Sequence, residues 1–97
     1  MSKAELMTLL VGQRELMKSR FGVKSLSIFG SAARDAMSDT SDVDLLVEFD
    51  AAPTFDGYFD LKFFLEDLIG RRVDLVTKGG LRSELRARVE LEAVNVA

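Results

Sequence analysis

The chain has 97 residues, of which 47% are hydrophobic and 30% charged, and it carries a net charge of −3. That is the size of one domain able to bury roughly 60–65% of its unfolded surface. It is not a disordered composition, and it gives no electrostatic reason to bind nucleic acid or an anionic membrane. With no cysteine and no histidine, disulfides, thiol nucleophiles, Cys- or His-ligated zinc and Ser-His-Asp catalysis are excluded, and any metal must be held by oxygen.

The chain reads as a single domain over residues 1–97. No apolar run approaches the length of a membrane span, and Ser2, Glu5 and Gln13 interrupt any signal-peptide pattern, so a soluble cytoplasmic protein is expected. Ser2 and Glu5 form an S-x-x-E capping box that starts a helix near Lys3. Leu6, Leu9, Leu10, Leu16 and Met17 continue it as one apolar stripe, with Phe21 extending the stripe and Gly22 as a stop. Val23 to Phe29 reads as a strand, with Leu26 and Ile28 on one face and Ser25 and Ser27 on the other. Gly30-Ser31 breaks that strand, and Ala32 to Met37 predicts a short helix.

Ser38 to Ser41 is a polar loop. Val43 to Phe49 is a second strand, with Val43, Leu45, Val47 and Phe49 on one face and Asp42, Asp44, Leu46 and Glu48 on the other. Asp50 through Gly57, with the lone Pro53, is a loop; Tyr58, Leu61, Phe64, Leu65 and Leu68 then sit at helical spacing up to Gly70. Phe59 and Phe63 fall beside that face, either as a patch for a partner or under a neighbouring loop. Arg72 to Thr77 is a third strand, with Asp74 opposite Val73 and Leu75, and Lys78-Gly79-Gly80 turns the chain. Leu81, Leu85 and Val89 line a last helix whose other face carries mixed charges, a solvated pattern. Leu91, Val94 and Val96 lie beyond that face, as a contact or a frayed end. The order α-β-α-β-α-β-α describes an α/β (α+β) domain, a sheet of about three strands flanked by about four helices.

The chemistry concentrates at Gly30-Ser31 and Asp42-Val43-Asp44. Glycine allows a tight turn and close approach of a ligand, and free amides with the Ser31 hydroxyl can cradle an anion; alone, the pair also reads as a plain turn. Asp42 and Asp44 are two apart on a strand and share a face. At about 4 Å two such charges repel by roughly 4 kcal/mol at an effective dielectric of 20, a cost that water at a strand end would screen and a divalent cation would convert into coordination. Asp74, if its strand neighbours theirs, adds a third carboxylate and makes the set fit a two-metal phosphoryl-transfer site; alone, it is also explained by a solvated face or an Arg71 or Arg72 partner.

Together, Gly30-Ser31-Ala32-Ala33-Arg34, Ser41-Asp42-Val43-Asp44-Leu45-Leu46-Val47 and the later Asp74 resemble the nucleotidyltransferase superfamily that includes DNA polymerase beta. The likeness is greatest to its minimal single-domain branch, the MNT antitoxins that partner HEPN-domain toxins, and it covers essentially the whole chain. It implies a nucleotidyltransferase fold with a small mixed sheet. It implies that Gly30 and Ser31 hold the triphosphate of ATP, with Arg34 steadying phosphates or the short helix. It implies that Asp42, Asp44 and Asp74 hold two Mg2+ ions, with Asp74 also helping deprotonate the attacking hydroxyl. The reaction implied is transfer of AMP to a tyrosine of a HEPN-type toxin, in a possible hetero-oligomer. A non-catalytic antitoxin acting by occlusion and a nucleotide sensor are the alternatives. The family commonly has glycine after the arginine, where this chain has Asp35.

Overall fold

A computed structural model describes all residues, Met1–Ala97. Its elements are helices α1 (Lys3–Gly12) and α2 (Arg14–Phe21), strand β1 (Val23–Phe29), helix α3 (Gly30–Ala33), strand β2 (Val43–Phe49), helix α4 (Phe55–Ile69), strand β3 (Val73–Thr77), a 3-10 turn (Lys78–Gly80), helix α5 (Ser83–Glu92) and strand β4 (Val94–Asn95). The sheet order is β3-β2-β1-β4. The β1 strand runs antiparallel to β2 and β4, and β2 runs parallel to β3, so the sheet is mixed. No helix is long and apolar enough to cross a membrane.

One face of the sheet makes the core. Val23, Leu26, Ile28, Val43, Leu45, Val47, Val73 and Leu75 are buried against Leu6 and Leu10 of α1, Met17 of α2, and Leu61, Leu65 and Ile69 of α4. Alternation in β2 and β3 sends these side chains one way, while in β1 the register shift between Val23 and Ser25 brings Val23 to the same core as Leu26 and Ile28, and burial of each is worth roughly 1.5–3 kcal/mol. The capping box at α1 is formed: the Glu5 amide donates to Ser2 Oγ at 3.1 Å and the Ser2 amide donates to Glu5 Oε1 at 3.1 Å.

The element order agrees with the sequence reading, with five corrections. Helix α4 begins at Phe55, inside the stretch Asp50 through Gly57 read as a loop, because Thr54 caps it, its Oγ1 accepting the Gly57 amide at 3.0 Å. The first predicted helix is two. Gly12 is a weak helix former, and at Gln13 (φ −107°, ψ 8°) the chain leaves helical geometry, which redirects α2 so that Met17 reaches the core while Leu16 stays exposed. The helix expected over Ala32 to Met37 is one turn starting at Gly30, ended by Asp35 in the left-handed region at φ +55°. The last helix, α5, buries no residue, and Leu85 faces solvent. The C-terminal residues form the fourth strand: Val94 pairs with Ile28, Asn95 pairs with Ser27, and Val96 is buried, its amide donating to the Leu26 carbonyl at 2.8 Å. A two-residue strand is too short to show alternation, so these residues carried no readable pattern.

Candidate active site

The sheet brings the sequence-predicted residues to one place. Phe29, the last residue of β1, is in register with Asp44, so Gly30 turns directly over that carboxylate. The turn is tight enough to need glycine twice over. Gly30 has φ +63°, and a Cβ there would overlap Asp44 Oδ2 and sit 3.2 Å from Cγ. Asp44 is in turn in direct register with Asp74 on the parallel neighbour β3, and Asp42 lies two residues earlier, just before β2 begins at Val43. Burial, then the charges of Asp74 and Asp42, push the Asp44 carboxyl above the usual carboxylate range, and Arg34 pulls it the other way. Asp42 and Asp74 line one cleft of about 470 Å³. The three acidic groups therefore share a side of the molecule, although they do not close as three ligands around a single point.

The flanking parts hold the arrangement. The α3 helix is too short to contribute an appreciable macrodipole, so what it offers an anion is the Ser31 hydroxyl and the amides of a first turn, which have no intrahelical acceptor. Arg34 is exposed and pairs with Glu92 of α5 at 3.2 Å rather than lying over the turn. Asp35 occupies a left-handed conformation that favours glycine and that Asp tolerates; its Oδ1 accepts the Lys3 amide at 2.8 Å. The extra carboxylate is thus spent on the start of α1. Asp74 has no ion-pair partner; Arg71 instead donates to the Ser38 carbonyl at 2.6 Å, bracing the loop before Asp42. The Ser38 amide donates to Ser41 Oγ at 3.0 Å in the same loop.

Further residues around the site were not apparent as such from sequence. Glu92 meets Arg34 only because α5 returns beside α3. Tyr58, read as core, also donates its hydroxyl to the Leu75 carbonyl next to Asp74; burial and then the Asp74 charge raise its pKa. Lys62, Phe63, Glu66 and Arg72 complete the wall of the cleft holding Asp42 and Asp74. The i, i+4 rule places Tyr58 and Lys62 on neighbouring turns of one helix, but only the position of β3 shows what that surface meets.

The donor chemistry fits a hard divalent cation. All the ligands on offer are carboxylate oxygens, two of them in register on adjacent strands, and their mutual repulsion is what such a cation would relieve.

Comparison with known proteins identifies the family. Residues 10–96 match the nucleotidyltransferase domain family. The chain is 38% identical over 92 residues to protein adenylyltransferase MntA of Thermococcus cleftensis, covering 95% of this chain and 93% of that protein. It superposes on a solved structure provisionally described as a minimal nucleotidyltransferase with TM-score 0.85 and 37% identity, covering 97% of this chain and 95% of the other. A solved structure of a tri-AMPylated Shewanella oneidensis HEPN toxin in complex with MNT antitoxin matches with TM-score 0.68 at 16% identity, covering 94% of this chain and 71% of the matched chain, a likeness of fold.

Proposed function

Because the chain belongs to the nucleotidyltransferase domain family, we propose that it is a protein adenylyltransferase antitoxin, moving AMP from ATP to a tyrosine hydroxyl of a HEPN-type toxin. The observation that carries the reading is the seating of the Gly30 turn on Asp44, with Asp74 in register beside it and Asp42 sharing a cleft with Asp74. A glycine turn next to a repelling set of carboxylates has a use in phosphoryl transfer that it lacks in a purely structural sheet end. The adenylyltransferase name of the MntA relative and the AMPylated toxin of the fold neighbour support the choice of donor and acceptor.

In this reading Gly30 and Ser31 hold the triphosphate, Gly30 by leaving room and Ser31 by its hydroxyl and amide. Asp42, Asp44 and Asp74 would hold Mg2+, which when bound supplies neutralisation of phosphate charge and a lowered pKa for a coordinated hydroxyl. Asp74, exposed on β3, takes the proton from the acceptor hydroxyl as its oxygen attacks the alpha phosphorus, and pyrophosphate leaves. Arg34 exchanges its contact with Glu92 for a phosphate oxygen. The protein contributes mainly position and charge, which a chain without histidine or cysteine can supply.

The test is intact-mass spectrometry of the HEPN-type protein after incubation with this chain, ATP and Mg2+. The expected result is a mass increase of one or more AMP groups. An unchanged mass, with ATP bound and the two proteins associated, refutes the transferase reading and leaves neutralisation by occlusion.

A further inference from the structure

The strongest unexplained surface is a strip of aromatic rings on α4. Phe55 is 78% exposed and Phe63 56% exposed, and Phe59 lies between them, with ring centroids 4.7 Å and 5.9 Å apart. At one ring per turn the strip runs about 12 Å along the helix. The core accounts for other α4 positions, such as Leu61, Leu65 and Ile69, but not for these. The strip ends at Phe63, which lines the same cleft as Asp42 and Asp74. Lys62 and Arg72 stand on that wall, and neither forms an ion pair within the chain.

Sheet order gives the site two distinct sides. The Gly30–Ser31 turn lies at the end of β1, on one side of Asp44. Asp74 lies on the other side, on β3, which is an edge strand. In phosphoryl transfer the attacking and leaving oxygens are roughly in line, so a nucleotide whose phosphates sit at the β1 side must be attacked from the β3 side. Resting on the function proposed above, we infer that the acceptor protein docks on the Phe55–Phe59–Phe63 strip and delivers its hydroxyl across the β3 edge. The occupant this surface fits is a protein segment with apolar side chains for the rings and an acidic residue for Lys62 and Arg72. Exposed aromatics of this kind are typical anchors of protein interfaces.

The experiment measures AMP transfer to a HEPN-type protein that associates with this chain, using the wild type, the double variant Phe55→Ser/Phe63→Ser and, separately, Lys62→Glu. Both exposed rings can be replaced without opening the core, and ATP affinity reports an intact donor side. The expected result is ATP binding within about twofold of wild type and a KM for the protein acceptor raised at least about tenfold in each variant. With a short tyrosine peptide as acceptor, too small to span the strip, a Phe55→Ser single variant, whose ring lies outside the cleft, matches wild type. An unchanged KM for the protein acceptor overturns the inference while leaving the transferase intact. A dimer of this chain alone that Phe55→Ser/Phe63→Ser dissolves assigns the strip to a second copy and likewise overturns it. No transfer by the wild type overturns the functional reading and the inference together.

Discussion

Replacing Gly30 by alanine tests the contact on which the site is built. Two penalties are separable. A non-glycine residue in the left-handed region costs roughly 1–2 kcal/mol, and in a domain of this size each kcal/mol lowers Tm by about 4–8 °C. The second penalty is spatial: the new Cβ would overlap the Asp44 carboxylate, so that group must move. Displacing a reacting group by about 1 Å costs on the order of 100-fold in rate. Gly22→Ala is the matched control, because Gly22 has φ +68° with nothing within 4 Å of an added Cβ. Thermal unfolding and the initial rate of AMP transfer are measured for both variants. Both should lose about 4–16 °C by the same arithmetic, and only Gly30→Ala should lose on the order of 100-fold in transfer. A Gly30→Ala protein transferring within about threefold of wild type, or a Gly22→Ala protein losing as much as Gly30→Ala, would refute the role given to this turn.

Asp42→Asn and Asp44→Asn should each reduce AMP transfer by at least about 100-fold, while Asp44→Asn, which removes a repelling charge, leaves Tm unchanged or higher; transfer retained in both variants contradicts the metal role. At position 35, alanine should be less stable than glycine by about 1–2 kcal/mol, because alanine alone meets the left-handed penalty and both lose the bond to the Lys3 amide; denaturant midpoints of the two variants decide it. Glu5 is held below its ordinary value of 4.5 by the hydrogen bond from the Ser2 amide, then by the Ser2 hydroxyl and the N-terminal charge. Its contribution is complete above pH 4.5 and is lost as pH falls through the depressed folded value. Denaturation from pH 7 to pH 3 should therefore show a shallower acid decline for Glu5→Gln than for wild type, and parallel curves would exclude the effect.

The strands and the carboxylates were legible because alternation is local. Val43, Leu45 and Val47 against Asp42 and Asp44 fix which face is wet without knowledge of any partner strand. What was not legible is whatever depends on who lies alongside. The register of Asp44 with Asp74 needs the parallel pairing of β2 and β3. Asp35 reads in sequence as a misplaced charge near a phosphate turn, and only the backbone angle and the start of α1 explain it. The division of α1 from α2 follows from Gly12, but a glycine inside a periodic stripe is often tolerated, so the stripe concealed the break. The same holds for α5: Leu81, Leu85 and Val89 have the spacing of a core helix, yet none of them is buried and Leu85 faces solvent.

That last helix is attached differently from the rest of the molecule. It is joined through Arg34 to Glu92 at 3.2 Å, Arg86 to the Lys78 carbonyl at 3.0 Å, and Lys78 to Glu90 at 4.0 Å, with no buried side chain of its own. Contacts of this kind weaken as ionic strength rises, whereas the greasy interior does not. Raised ionic strength is therefore expected to weaken the attachment of α5 more than the packing of the sheet, to which the residues after α5 stay pinned by the pairing of Val94 with Ile28 and Asn95 with Ser27.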